Sequence, residues 1–224
     1  MKERHLIVFD LDGTLVDSLP AIAAGINSLR SRRGLTALPA AEVGRMSGGP
    51  MHGLLRRSLA EAIGIDFATD RDLEAEYSIA YRGACSAGVI RPFAGATELL
   101  ERASAAGFLL AICTNKSREL ALVTTDAMGW QSWFSDWNVI GCDTLDRVKP
   151  DPLPMEVLMG RTGMSKERCW MVGDSAVDMA LARASGVRSI AVGFGYGSAV
   201  QSMPNHAVES FEELAQVLGL ESLC

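Results

Sequence analysis

Five short apolar runs recur along this chain, separated by stretches with helical periodicity. They are Leu6 to Phe9, Phe108 to Cys113, Trp137 to Ile140, Cys169 to Val172 and Arg188 to Val192. Each is short enough for a strand, and the stretches between them suit helices. This alternation predicts an α/β fold: a Rossmann-like core whose central parallel sheet is flanked by helices. Core helices are predicted over Gly95 to Ala106, from a Ser117 cap to Met128, Pro154 to Arg161 and Ala176 to Ala184. Another opens at the capping box Ser210-Phe211-Glu212-Glu213.

Between Asp17 and Val89 the pattern is helix after helix, with no convincing strand. A helix runs from Pro20 to about Arg33, capped by Asp17 or Ser18 and stopped by Gly34. A short one covers Ala40 to Met46, and Ser47-Gly48-Gly49-Pro50 breaks the chain. The next spans Met51 to Ile63, and Thr69-Asp70-Arg71-Asp72 opens the last, to about Cys85. Arg91-Pro92-Phe93 marks the return to the sheet. The reading is a core of residues 1–16 and 90–224 with an inserted α-helical cap domain at 17–89. The insertion starts just after the first strand, so it is expected to lie over that strand's end as a lid.

Composition narrows the partners. At 224 residues and 48% hydrophobic, the chain can build a substantial core. Its formal net charge is −6 and no basic block stands out, which argues against nucleic acid. The first residues are too polar for a secretory signal, and no apolar run reaches membrane-spanning length. The five cysteines are odd in number with no CxxC pair, so free thiols in a reducing cytoplasm are expected.

Polar residues suited to chemistry gather at the strand ends. The first run ends in Asp10-Leu11-Asp12-Gly13-Thr14. Two like charges side by side repel and raise each other's pKa. A cation between them removes that objection, and magnesium, which takes oxygen ligands, is the expected one. Thr114-Asn115-Lys116 follows the second run, Lys149-Pro150-Asp151-Pro152 lies beyond the third, and Gly173-Asp174-Ser175 follows the fourth, with Asp178 one turn on. In a parallel sheet these ends share one edge.

In order and spacing these four motifs resemble those of the haloacid dehalogenase-like hydrolases. The helical insertion and the stretch Ser189 to Gly197 resemble the phosphoglycolate phosphatases within that superfamily. The resemblance implies a magnesium-dependent phosphatase for a small phosphorylated metabolite, with 2-phosphoglycolate as the specific expectation. Asp10 would be the nucleophile, already ionised because an unperturbed aspartate has a pKa of about 3.9. Asp12 would be general acid and then base. Magnesium would be held by Asp10, the Asp12 carbonyl and Asp174, with Asp178 behind them on a bound water or Lys149. Thr114 and the N–H groups of Leu11 and Asn115 would bind phosphoryl oxygens, and Lys149 would offset their charge.

In the insertion, Arg45, Gly48, Gly49 and His52 are the expected substrate contacts. Arg45 reads as a clamp for a substrate carboxylate, or else as a solvated helix-end arginine. His5 and His206 read as surface residues, the tryptophans as packing, and Cys113 as an inert buried thiol. Sugar phosphatase, phosphomutase and inactive binding module remain alternatives, and the chain could be a monomer or homodimer. A Schiff-base phosphonatase is disfavoured because no lysine lies between Lys2 and Lys116. Asp12 argues against a dehalogenase.

Overall fold

The computed structural model describes residues 4–47, 49–60 and 71–220. The first strand, β1 (Leu6–Phe9), is buried along its whole length. The chain then passes through a short strand β2 (Val16–Asp17) and helices α1 (Leu19–Arg32), α2 (Ala40–Met46), α3 (Met51–Ser58) and α4 (Arg71–Ser86). It returns through β3 (Arg91–Pro92) into α5 (Ala96–Ala105), β4 (Leu109–Cys113), α6 (Arg118–Ala127) and β5 (Val139–Ile140). Next come α7 (Leu153–Thr162), β6 (Cys169–Gly173), α8 (Ala176–Ser185) and β7 (Arg188–Val192). An edge strand β8 (His206–Val208) and α9 (Phe211–Val217) close the described chain. Among the described residues no helix is long and apolar enough to cross a membrane.

Six strands form one sheet in the order β5-β4-β1-β6-β7-β8, and every pairing in it is parallel. Strand alternation sends Ile7 and Phe9 into one core and Leu6 and Val8 into another. The second core includes Met155 and Leu158 of α7 and Leu181 of α8, so helices cover both faces. Parallel strands buried on both faces explain the continuous apolar runs in the sequence. Phe9 is in register with Ile112 on one side and Val172 on the other. Asp10, Thr114 and Asp174 therefore leave the sheet at nearly the same level.

β8 is a strand the periodicity does not predict. It has three residues, only Val208 is buried, and it sits at the edge. Side-chain bonds dock it: Asn205 Oδ1 accepts from the Ser189 N–H at 2.8 Å, and the Asn205 N–H donates to Ser189 Oγ at 3.0 Å.

Several expected boundaries and caps differ. Ser18 precedes α1 but makes no capping bond; its hydroxyl donates to Asp12 instead. The N-cap of α8 is Ser175, and Asp178 completes a capping box with it. At α9, Ser210 accepts from the Glu213 N–H at 3.2 Å, whereas the Glu213 carboxylate takes the Glu209 N–H. Helix α3 ends at Ser58, and the expected end at Ile63 lies outside the described residues, as does part of the Thr69 to Asp72 box.

The helical segment leaves and rejoins the core through adjacent strands. β2 and β3 pair antiparallel, Val16 with Pro92 and Asp17 with Arg91, and the Phe93 N–H donates to the Leu15 carbonyl at 3.0 Å. Within the segment, α1 packs on α4, and Gly25 makes this possible. A Cβ at Gly25 would stand 2.7 Å from the ring of buried Tyr77 on α4. Mid-helix glycine costs up to ~1 kcal/mol against alanine, so the ring's place here outweighs helix propensity. Gly25→Ala is therefore expected to destabilise the protein by about 1–3 kcal/mol through overpacking. Thermal denaturation checks this: a lower Tm is expected, and a higher one would show that propensity wins.

Candidate active site

Asp10 continues β1 by one residue, its N–H donating to the Val172 carbonyl at 2.8 Å. The side chain then faces two other carboxylates. Single oxygens of Asp10, Asp174 and Asp178 lie within 4.8 Å of one another, and all three residues are buried. One buried ammonium answers them. Lys149 Nζ lies 2.8 Å from Asp10 Oδ1 and 2.6 Å from Asp178 Oδ1.

The balance is uneven, and the pKa values follow it. Burial pushes Asp10 up to about 8, against the pull of Lys149, with Asp178 and Asp174 adding to the push. Burial and then Asp178 also raise Asp174 to about 6, although two backbone N–H groups oppose this. For Lys149, burial works against the charged form, but Asp10 and Asp178 outweigh it and hold the pKa above its usual range. Burial therefore works against the ionised form of Asp10, a cost that the pKa of an unperturbed aspartate does not include. A divalent cation beside Asp10 and Asp174 would restore the balance. The donor set fits one: carboxylate oxygens only, partly unneutralised, at a cavity wall.

Asp178 does two jobs. One oxygen accepts from Lys149; the other accepts from the Ser175 hydroxyl at 2.6 Å and the Ser175 N–H at 3.1 Å. The start of α8 therefore fixes Lys149 in front of Asp10. Asp174 is held by a loop far along the chain, its Oδ2 accepting from the N–H groups of Tyr196 at 2.8 Å and Gly197 at 2.9 Å. A side chain on Gly13, whose φ is +84°, would collide with that carboxylate, which explains the glycine after Asp12.

Asp12 has different partners. Its Oδ1 lies 2.6 Å from Lys116 Nζ and also accepts from Ser18 Oγ. Lys116 Nζ lies 2.7 Å from the hydroxyl of Tyr81 on α4 and 4.1 Å from the centre of its ring. Sequence reading names the Thr114-Asn115-Lys116 strand end but gives Lys116 no role. Its signal was a lysine two residues past the Thr114 strand end, beside the expected phosphate contacts. Tyr196 is the other residue missed: its hydroxyl donates to Asp17 Oδ1 at 2.5 Å and accepts from the Leu19 N–H at 3.0 Å.

Over these groups lies a cavity of about 480 Å³, between the sheet edge and the helical segment. Asp10, Asp12, Thr114, Asn115, Lys149 and Asp174 line it from the core. Arg45 and Gly49 line it from the helical side, as the sequence suggests, and so do Met51, Leu54 and Tyr77. His52 does not: it is exposed on α3, on a different face from Met51 and Leu54. Gly48 lies outside the described residues. Leu11, expected to contribute its backbone N–H, has a buried side chain in the core. Cys113 is buried and its thiol is pushed up to about 12, mainly by burial, so it is inert as expected.

The model of the haloacid dehalogenase-like hydrolases matches residues 7–192 of this sequence. The chain belongs to the haloacid dehalogenase-like hydrolases. Relatives include a phosphoglycolate phosphatase of Rhodospirillum rubrum, 34% identical over 220 residues, covering 95% of this chain and 90% of that protein. Another, from Chromobacterium violaceum, is 33% identical over 231 residues and covers 97% and 98%. A crystal structure of a predicted phosphoglycolate phosphatase from Haemophilus somnus 129PT superposes with a TM-score of 0.88 at 27% identity, covering 97% of this chain and 99% of that one. This hydrolase fold and the parallel sheet agree with the expectation from the strand-end motifs.

The raised carboxylates give a pH-dependent prediction. An aspartate with a pKa of 3.8 unfolded and about 8 folded favours the folded state most below 3.8, and that contribution is lost as pH rises through 8. Cation binding at this cluster would need Asp10 and Asp174 deprotonated, so its affinity would run the other way, rising with pH. Added magnesium is therefore expected to raise Tm more near pH 8 than near pH 6, the values that bracket these two groups. Equal shifts at both pH values, measured by thermal denaturation, would contradict the cluster as the cation site.

Proposed function

We propose that the chain is a magnesium-dependent phosphatase that hydrolyses a small phosphomonoester, 2-phosphoglycolate, through an aspartyl-phosphate on Asp10. The observation that carries this is the division of labour at one strand end: Asp10 pairs with Lys149 and Asp12 with Lys116. Two carboxylates two residues apart, each with its own cation, suit a nucleophile and a separate proton carrier.

In the first half-reaction an Asp10 oxygen attacks phosphorus and the bond to the leaving alkoxide breaks. Asp12 gives that alkoxide its proton. Both Lys116 and Ser18 contact Oδ1 of Asp12, which leaves Oδ2 for the transfer. In the second half, Asp12 takes a proton from water as the water attacks phosphorus. Phosphate leaves and Asp10 is restored. Lys149 keeps its charge throughout, stabilising the added negative charge. Thr114 and the N–H groups of Leu11 and Asn115 would bind the phosphoryl oxygens.

Magnesium would sit against the carboxylates of Asp10 and Asp174 and the carbonyl of Asp12, where it supplies charge neutralisation for the phosphoryl group. Asp178 is occupied by Lys149 and Ser175, so its part is to position Lys149. We assign residues 17–89 as a cap that closes over the site, carried on the β2–β3 ribbon. Arg45, exposed at the cavity wall, would meet a substrate carboxylate from the solvent side. The free Cys85, Cys113, Cys142 and Cys169 fit a reducing cytoplasm.

The purified protein is expected to release phosphate from 2-phosphoglycolate with magnesium, and to stop when a chelator is added. Asp10→Asn is expected to abolish turnover while the far-UV circular dichroism spectrum stays unchanged. Phosphate release by a folded Asp10→Asn variant at the wild-type rate would reject the nucleophile.

A further inference from the structure

Tyr77 on α4 is buried to 1% exposure, and among the described residues its hydroxyl has no hydrogen-bond partner. It lines the same cavity as Asp10 and Asp12. A buried hydroxyl without a partner costs about 1–3 kcal/mol, so its position calls for a ligand that completes it. The ring is also held firmly. It fits the notch left by Gly25 on α1 and stacks on Tyr81, with ring centres 5.9 Å apart at 24°. Burial keeps the phenol protonated, above its usual pKa, although Lys116 pulls the other way. The group is therefore a rigid, neutral hydrogen-bond donor.

Lys116 stands near it as a second donor. An ammonium has three N–H groups. One is directed to Asp12 and one to Tyr81, which leaves the third. Lys116 lines the cavity too. Its place beside Asp12 matters, because Asp12 must reach the ester oxygen that leaves. Any acceptor close to that oxygen in the substrate falls within reach of Lys116.

We propose that the Tyr77 hydroxyl and the Lys116 ammonium form a recognition point for a carboxylate on the carbon that bears the phosphate ester, and that Tyr77 is a specificity-determining residue. The assignment rests on the phosphatase reading above and refines it. A carboxylate one carbon from the ester oxygen accepts from the phenol on one side and from the ammonium on the other. A neutral leaving group, or one with its charge further away, leaves the phenol unpaired in the closed site. Sites that bury a donor discriminate strongly against substrates lacking its acceptor. Arg45 would meet the same carboxylate from the exposed side, whereas Tyr77 meets it from within.

The test is Tyr77→Phe, which keeps the ring and its packing and removes only the hydroxyl. Its kcat/KM is measured for 2-phosphoglycolate and for p-nitrophenyl phosphate, which has no carboxylate. A hydrogen bond to a charged group is worth about ten- to a hundred-fold. The variant is expected to lose about that much on 2-phosphoglycolate and less than about two-fold on p-nitrophenyl phosphate. Its Tm is expected to stay level or rise, since an unpaired buried hydroxyl has been removed. Equal losses on both substrates would make Tyr77 a structural residue and overturn the proposal, as would an unchanged rate on 2-phosphoglycolate. If the variant loses the wild-type fold, Lys116→Met carries the same comparison: a loss greater on 2-phosphoglycolate supports the site and an equal loss overturns it. Failure of the phosphatase reading looks different, because wild type itself would then turn over neither ester.

Discussion

Three buried carboxylates against one buried ammonium is the constraint around which this molecule is arranged. Asp10 and Asp174 leave the sheet edge together because β1 and β6 are adjacent and in register, and Asp178 joins them from the first turn of α8. Lys149 offsets part of their charge, and the residue of repulsion and burial shows in the raised pKa of Asp10. Isolated, such a cluster is unfavourable, since buried charges need partners. Around it the structure supplies partners from distant segments: the capping box of α8 behind Lys149, and the Tyr196 loop behind Asp174. The imbalance that remains is what a divalent cation and a phosphoryl group would resolve together. A cation site and a substrate site here would therefore share one cause.

The helical segment walls the cavity on the side opposite those groups. It is attached by the two residue pairs of the β2–β3 ribbon, and it also reaches into the core through Tyr81, whose hydroxyl lies 2.8 Å from Thr124 Oγ1 and 2.7 Å from Lys116 Nζ. Lys116 thus touches both Asp12 and the helical segment. A single ammonium therefore joins the helical segment to Asp12. Gly25, by admitting the Tyr77 ring, sets which chemistry the lid presents to the cavity.

Much of this was legible in the chain itself. Strands buried on both faces announce themselves as apolar runs, and the polar residues after them must share an edge in a parallel sheet. That is why Asp10, Asp12, Thr114, Lys149 and Asp174 could be named before any coordinates. What stayed hidden depends on contacts between segments far apart in sequence. Ser18 looks like a helix cap, yet it bonds Asp12, because the chain folds back on itself at β2. Lys116 and Tyr196 carry no local pattern; the carboxylates their side chains bond lie 104 and 179 residues away. β8 is too short for periodicity and owes its place to Ser189 and Asn205. The pKa of Asp10 could not be foreseen from its type, since burial, not the aspartate itself, sets it.

The central claim is that Asp10 becomes covalently phosphorylated during turnover. The most direct measurement is to quench the enzyme in the steady state with 2-phosphoglycolate, reduce with borohydride, and sequence the peptides by mass spectrometry. An aspartyl phosphate is an acyl phosphate, which borohydride reduces to the alcohol, so homoserine is expected at position 10 and nowhere else. Unmodified Asp10 in a sample that is releasing phosphate, with the modification at another residue, would contradict the account.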